Sequence, residues 1–518
     1  MQEILRNNSK GLHMIRYKSN RQLSLEGFHL PFGGELSPEN RWVRWSQVIP
    51  WDELAVGYYT VMSSELGRPC KDARLVIGAV ILKHKLNLSD EETVLQIQEN
   101  PYLQYFVGFS RYKDEQPFAP SLFVEIRKRM GADVFACFER VILERIGMAK
   151  NKAGAEPGGD DPEEHPANRG KMLVDATVAE QAIRYPTDIN LLNEAREISE
   201  QLIDELYGLS ELTRKPRTYR QKARRQYLGL AKKRKLSIKE RRRGIREQLQ
   251  YLKRNLGHIA LLLDEVGSTP FPLSARRQRQ YWIIQCVYEQ QDGMYKSRDR
   301  RCDDRIVTIS QPHVRPIVRG KASKSTEFGA KLSVSMVDGI ALVDHLGWDA
   351  FNESQDLIGQ IETYRDRYGH YPASVLADGI YGTRSNRMFM KEKGIRFGGK
   401  ALGRPQKVTA ENSEKLKLQK QQRRRDALER IPIEGKFGQG KNGYRLNYIR
   451  ARLRRTSESW INSIFLVMNL MVLLRKLYDE LFLSGRNAFF LVLQIWLPQL
   501  MTILQLILRS PRMRMLLS

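Results

Sequence analysis

Two short apolar runs, each closed by an aspartate, constrain this chain more than any other feature. Met172-Leu173-Val174 leads into Asp175, and Ser374-Val375-Leu376-Ala377 leads into Asp378. Runs of this length and composition read as buried strands. A carboxylate at the end of a buried strand is costly unless it is paired or bound to a cation. Taken alone, an aspartate after a strand is a common turn former. A third acid makes the pattern more specific: Glu434 follows an Arg-rich stretch and sits in the spacing Arg430-x3-Glu434-x6-Lys441. A fold that gathers these three acids would hold a pair of divalent cations.

The charge balance says what such a site would act on. Lys and Arg total 86 against 59 Asp and Glu, a formal charge of +27 over 518 residues. That excess points to a polyanion, either nucleic acid or, less often, an anionic membrane surface. The length predicts two or three domains. The four cysteines, Cys70, Cys137, Cys286 and Cys302, form no CxxC pair. They predict a reducing compartment and argue against a disulfide framework or structural zinc. Met1–Ser19 is polar, with no apolar segment of a signal peptide, so the expected location is cytoplasmic. Ala488–Leu508 is apolar and long enough to span a bilayer, but it carries Gln494, Pro498, Gln499, Thr502 and Gln505. It is read as a core or oligomer-contact helix broken at Pro498 rather than a membrane span.

The chain divides by composition. Residues 1–66 form a polar and then aromatic N-terminal segment. Residues 67–150 read as a compact helical domain, with Ser89 and Glu92 as a capping box. In it, Leu122–Met130 is a short helix carrying Arg127, Lys128 and Arg129, which suits DNA contact or, equally, a solvated basic face. Residues 151–170, rich in Gly, Pro and acid, read as a linker. A strand follows at Lys171–Asp175, with a continuation to Ala182 left open. A long helical insertion at about 189–305 contains, from Arg214 to Arg254, 18 Lys or Arg and only two Glu, with Tyr219 and Tyr227 interleaved. So few opposite charges favour an arm that tracks a phosphate backbone. Beyond residue 306, strands and helices alternate. Lys331–Val337 and Ile340–Leu346 are joined by Asp338-Gly339, a hairpin signal. Helices are expected at Gln355–Arg367, Thr383–Lys393, Gln419–Arg430 and Ser459–Tyr478, and a strand at Gly394–Phe397. With the insertion set aside, the fold class is α/β: a mixed sheet with flanking helices, preceded by an all-α domain. Pro432 and Gly435 flank Glu434, so a regular helix from Arg430 to Lys441 is not expected. An apolar tail occupies 483–518.

Three motifs in this order resemble a known family. KMLVDAT (Lys171–Thr177), LADGIYGT (Leu376–Thr383) and Arg430-x3-Glu434-x6-Lys441 resemble the acidic motifs of bacterial insertion-sequence transposases of the DDE type. The resemblance covers most of residues 40–480, and Val48–Met130 is similar to the helical domain preceding the core in one group of these elements. It implies an RNase H-like catalytic domain at 171–482. It implies that Asp175, Asp378 and Glu434 bind two Mg²⁺ ions, with Mn²⁺ able to substitute, and no small-molecule cofactor. It implies hydrolytic nicking at element ends and attack of the freed 3′-hydroxyl on target DNA, by a homodimer on double-stranded DNA. Arg430 and Lys441 would contact end phosphate, joined by Arg384. Where the family often has a Tyr three residues before the Arg, this chain has Ala427; either that DNA-positioning Tyr is missing or Tyr381 serves a similar role from another loop. Two alternatives remain: a catalytically inactive, transposase-derived DNA-binding protein, and a structure-selective nuclease with a similar core.

Overall fold

The structure is a computed structural model and describes residues 28, 30, 34–62, 70–147, 167–267, 270–299, 301–318, 326–400, 402–403, 409 and 412–477. The apolar tail expected at 483–518 lies outside these residues, as does most of the linker.

Seven helices come first: α1 (Arg41–Val48), α2 (Trp51–Tyr59), α3 (Ala73–Leu86), α4 (Asp90–Glu99), α5 (Pro101–Phe106), α6 (Leu122–Arg129) and α7 (Ala132–Arg145). Their starts are written in the sequence. Asp72 accepts from the backbone N–H groups of Arg74 and Leu75, and Ser89 from that of Glu92 at 3.0 Å. Asn100 caps α5 with Pro101 in the first turn, where its missing N–H costs nothing. Helix α3 is buried almost all round, as expected for the central helix of a small bundle.

The sheet has six strands: β1 (Lys171–Glu180), β2 (Arg315–Val318), β3 (Thr326–Val337), β4 (Ile340–Gly347), β5 (Ser374–Ala377) and β6 (Arg396–Phe397). Strand β3 lies antiparallel to β1, and β2 and β4 pair with successive stretches of β3. On the other side of β1, strands β5 and β6 run parallel. The sheet is therefore mixed, as expected. Asp338 and Gly339 both take positive φ, 47° and 86°, and make the tight β3–β4 turn. Gly329 is required by close approach: a Cβ there would stand 1.9 Å from the carbonyl oxygen of Ala179 on β1.

Between β1 and β2 lie four helices: α8 (Asp188–Tyr207), α9 (Arg220–Ala231), α10 (Ile238–Val266) and α11 (Ala275–Ser297). They close over a core of their own, including Leu192, Leu202, Leu252, Ile259 and Ile284. Arg196 of α8 is buried in this bundle, donates to Gln248 of α10 at 3.2 Å and pairs with Glu200.

After β4, a 3₁₀ turn (Glu353–Gln355) leads into α12 (Leu357–Tyr368), and another (Gly379–Tyr381) leads from β5 toward α13 (Arg384–Glu392). The long α14 (Ser413–Gly443) and α15 (Arg454–Leu477) complete the described chain. Contrary to the sequence expectation, α14 runs unbroken through Pro432. Helix α15 is the one helix among the described residues long and apolar enough to cross a membrane, yet 72% of its most apolar window is buried inside the protein. Asn469 pins it to β4, accepting from Ala341 N–H at 3.0 Å and donating to Ala341 C=O at 2.7 Å.

One apolar core runs without a break from the N-terminal helices through the sheet to α15. Trp460 of α15 reaches His84 of α3, and Asn87 after α3 donates to the Gly443 carbonyl at the end of α14, at 2.7 Å.

Candidate active site

Strand pairing brings the first two acids together. Val174 of β1 sits beside Ala377 of β5 in parallel register. The next residues along are Asp175 and Asp378, on neighbouring strands about 4.8 Å apart. Asp175 does not end its strand. It is the fifth of ten residues, because the buried run Ala176–Ala179 goes on pairing with β3 as far as Glu180. Asp378 does end β5, and opens the 3₁₀ turn by accepting from Gly379 N–H at 2.6 Å.

The third acid arrives on α14, which packs on β1 and β5. Arg430 stands 3.5 Å from Asp175 and 2.7 Å from Glu434, so one guanidinium spans two of the three carboxylates. Arg430, Glu434 and Lys441 are four and then seven residues apart, which on a continuous helix puts them along one face. Burial pushes the Asp175 carboxyl above the usual range; the Ala176 N–H and Arg430 pull it back, while Glu353 and Glu434 push it further up. Negative charge is thus crowded around Asp175 with one nearby cation to offset it.

The donor set is all carboxylate oxygen, which suits a hard divalent cation. Among the described residues, however, no three of His, Cys, Asp or Glu stand close enough to hold an ion. Arg430 lies between Asp175 and Glu434 instead, and Glu434, about half exposed, is not locked by packing.

The residues expected to contact DNA fare differently. Tyr381 is fully buried, its hydroxyl donating to Glu353 at 3.3 Å, so it is not a surface ring for DNA. Arg127 is likewise a correction. It is buried, clamps both oxygens of Asp90 at 3.0 and 2.7 Å, and shares that acid with Lys83. Lys128 pairs with Glu125 on the surface, while Arg129 and Arg384 are exposed. Lys441 stands 3.4 Å from the buried carboxylate of Glu327 on β3. Glu353 carries no motif in the sequence and is not anticipated there; tertiary packing alone brings it near Asp175 and Tyr381.

The helical insertion presents its cations outward. Lys222, Arg224 and Arg225 on α9 are exposed. Tyr219, at φ 54° just before α9, has the guanidiniums of Arg217 and Arg254 at 4.7 and 4.8 Å from its ring centroid. Tyr227 instead turns toward α8, donating to Asn190 at 3.1 Å.

Comparison with known proteins relates two stretches of the chain to transposase families. Residues 375–471, which include Asp378 and Glu434, match the family described as Transposase DDE domain. Residues 32–129, spanning α1 to α6, match the family described as Transposase domain (DUF772). A Rhizobium meliloti protein described as uncharacterized protein ORF8 in nfe locus is 36% identical over 159 residues, which is 30% of this chain and 69% of that protein. No solved structure matches. The chain belongs to the bacterial insertion-sequence transposases of the DDE type.

Proposed function

We propose that this protein cleaves transposon ends and joins the freed 3′-hydroxyl to target DNA by a two-metal-ion mechanism, with Asp175, Asp378 and Glu434 as the acids of an RNase H-like site. The observation that carries this reading is the pairing of β1 with β5, which sets Asp175 next to Asp378, while Arg430 links Asp175 to Glu434. The strand arrangement supports the RNase H-like assignment: an antiparallel β4–β3–β1 half continues into a parallel β1–β5–β6 half.

The three carboxylates would hold Mg²⁺ or Mn²⁺. When bound, two such ions supply charge stabilisation at the attacking and leaving oxygens of an in-line displacement. The protein's own part is to present oxygen donors from two adjacent strands and one helix. Partial burial of Asp175 lowers the local dielectric and strengthens its attraction for a cation. Arg430 would exchange its carboxylate partners for a DNA phosphate, a planar guanidinium serving either anion equally well. Lys441, one face further along α14, would meet the same strand. The basic α9 and α10 would hold flanking duplex, and two copies of the chain would bring two ends together.

The deciding experiment is end cleavage by Asp378→Asn on a labelled duplex with Mg²⁺. Loss of nicking with retained DNA binding supports the reading. Nicking at the unaltered rate removes Asp378 from the site. An unaltered protein that binds ends and never nicks them is the inactive DNA-binding derivative.

A further inference from the structure

We propose that Glu353 is a positioning residue for Asp378, acting through the buried hydroxyl of Tyr381. The inference rests on the reading of Asp175, Asp378 and Glu434 as the site.

The turn that follows Asp378 is fastened from below. Tyr381 closes it, with its N–H bonded to the Asp378 carbonyl at 3.1 Å and its ring fully buried. Its hydroxyl donates to Glu353 Oε2 at 3.3 Å. Asn386 of α13, 2% exposed, donates to the carbonyl of Tyr381 at 2.9 Å and to that of Ser354 at 2.7 Å. Three hydrogen bonds therefore tie the turn after β5 to the turn after β4, and the Asp378 carboxylate takes part in none of them.

On its other side, Glu353 is anchored to the sheet. Its Oε1 stands 3.1 Å from Lys331 Nζ on β3. Lys331 is itself fixed, donating to the Phe351 carbonyl at 2.7 Å and lying 4.9 Å from the Phe351 ring centroid. The chain Lys331–Glu353–Tyr381 thus runs from the strand beside β1 to the turn that carries Asp378. Lys331 and Tyr381 are buried and Glu353 is half-buried between them, so loss of the acid would leave the Tyr381 hydroxyl without this partner in a buried setting.

A backbone carbonyl would have satisfied the Tyr381 hydroxyl without burying a charge. The acid does more: its other oxygen takes Lys331 of β3 at 3.1 Å. Glu353 therefore has two separable effects, a hydrogen bond that holds the turn and an ion pair that ties the turn to the sheet. Both would favour a divalent cation at the site.

The test measures cation binding directly, by following free Mn²⁺ with electron paramagnetic resonance in titrations of the full chain on an end duplex. Tyr381→Phe keeps the ring and removes the hydroxyl. Glu353→Gln keeps an acceptor and removes the charge. Glu353→Ala removes both. Loss of a partner that orients a ligand weakens metal binding roughly 10- to 100-fold. The expected result is about 10-fold weaker Mn²⁺ binding for Tyr381→Phe and Glu353→Ala. Glu353→Gln should fall between them and the unaltered chain, with end affinity little changed in all three and the unfolding midpoint lowered most in Glu353→Ala, which leaves the Tyr381 hydroxyl and Lys331 without the acid. Unchanged Mn²⁺ binding in Tyr381→Phe and Glu353→Ala overturns the inference. So does a parallel loss of DNA affinity and thermal stability that Glu353→Gln does not restore, which marks a purely structural role. Asp378→Asn separates the two levels. If it binds Mn²⁺ as the unaltered chain does, the site reading fails; if it loses Mn²⁺ while Glu353→Ala keeps it, only the role of Glu353 fails.

Discussion

Arg430 and Asp175 face each other at 3.5 Å across the contact between α14 and β1. The pair ties the third acidic element to the first at the acids themselves, because Arg430 also holds Glu434, while Lys171 of β1 and Glu429 of α14 pair beside it at 2.8 Å.

Replacing Arg430 by Gln should therefore act on chemistry more than on folding. The side chain is about a quarter exposed, so the ion pairs contribute on the order of 1 kcal/mol to stability. Loss of a cation aimed at developing phosphate charge costs roughly 10²–10³ in rate. Single-turnover end cleavage should fall by about that factor, with the unfolding midpoint nearly constant.

Asp90 should matter to stability and not to DNA. Its carboxylate receives Arg127 and Lys83, both buried. Asp90→Ala leaves two buried cations facing each other, a change that costs about 3–5 kcal/mol. Denaturant unfolding followed by Trp fluorescence would register it. Arg127→Met should lower stability by less, since Lys83 still serves Asp90. The salt dependence of DNA binding should not change, whereas a phosphate contact would lower its slope by about 1.

Stability should decline as pH rises through neutrality because of Glu139. This carboxyl on α7 meets Arg367 and, beyond it, Asp344 of β4. Burial pushes its pKa up to about 7, Arg367 opposes the shift, and Asp344 adds to it. The folded chain then holds a proton that the unfolded chain releases near pH 4.5. Stability is highest below that value, falls between it and about pH 7, and levels off above. Glu139→Gln should flatten the change in unfolding midpoint between pH 5.5 and 8, a difference on the order of 1–3 kcal/mol.

The outward cations of α9 predict a salt signature. Changing Lys222, Arg224 and Arg225 together to Gln should reduce the slope of log affinity against log salt by up to about 3 if each meets a phosphate. Cleavage at saturating DNA should persist. An unchanged slope would assign this face to solvent.

Much of the arrangement was legible because it depends on local pattern. The apolar run at Val375–Ala377 is long enough for a strand and too short for a helix, and Asp338-Gly339 suits only a tight turn. The strand through Asp175 was found but its end was left open between Asp175 and Ala182, since Ala176–Ala179 carry small and β-branched residues that only the β3 pairing marks as strand to Glu180. Pro432 misled for a physical reason. A proline removes one helical hydrogen bond, but Ile433 is fully buried and holds that turn of α14 against the core. The burial of Tyr381 and Arg127, and the nearness of Glu353, depend on partners far along the chain. An exposed tyrosine and a buried one read alike in sequence.

Among the described residues, the unbroken apolar core from the N-terminal helices to the sheet, with Asn87 bonded to Gly443, joins the two as one packed body. For a helical part that grips DNA, the two act like the jaws of a caliper. The nick would fall at a constant number of base pairs from the gripped sequence, so spacer DNA inserted between that sequence and the original cut would leave this distance unchanged and place the nick within the spacer.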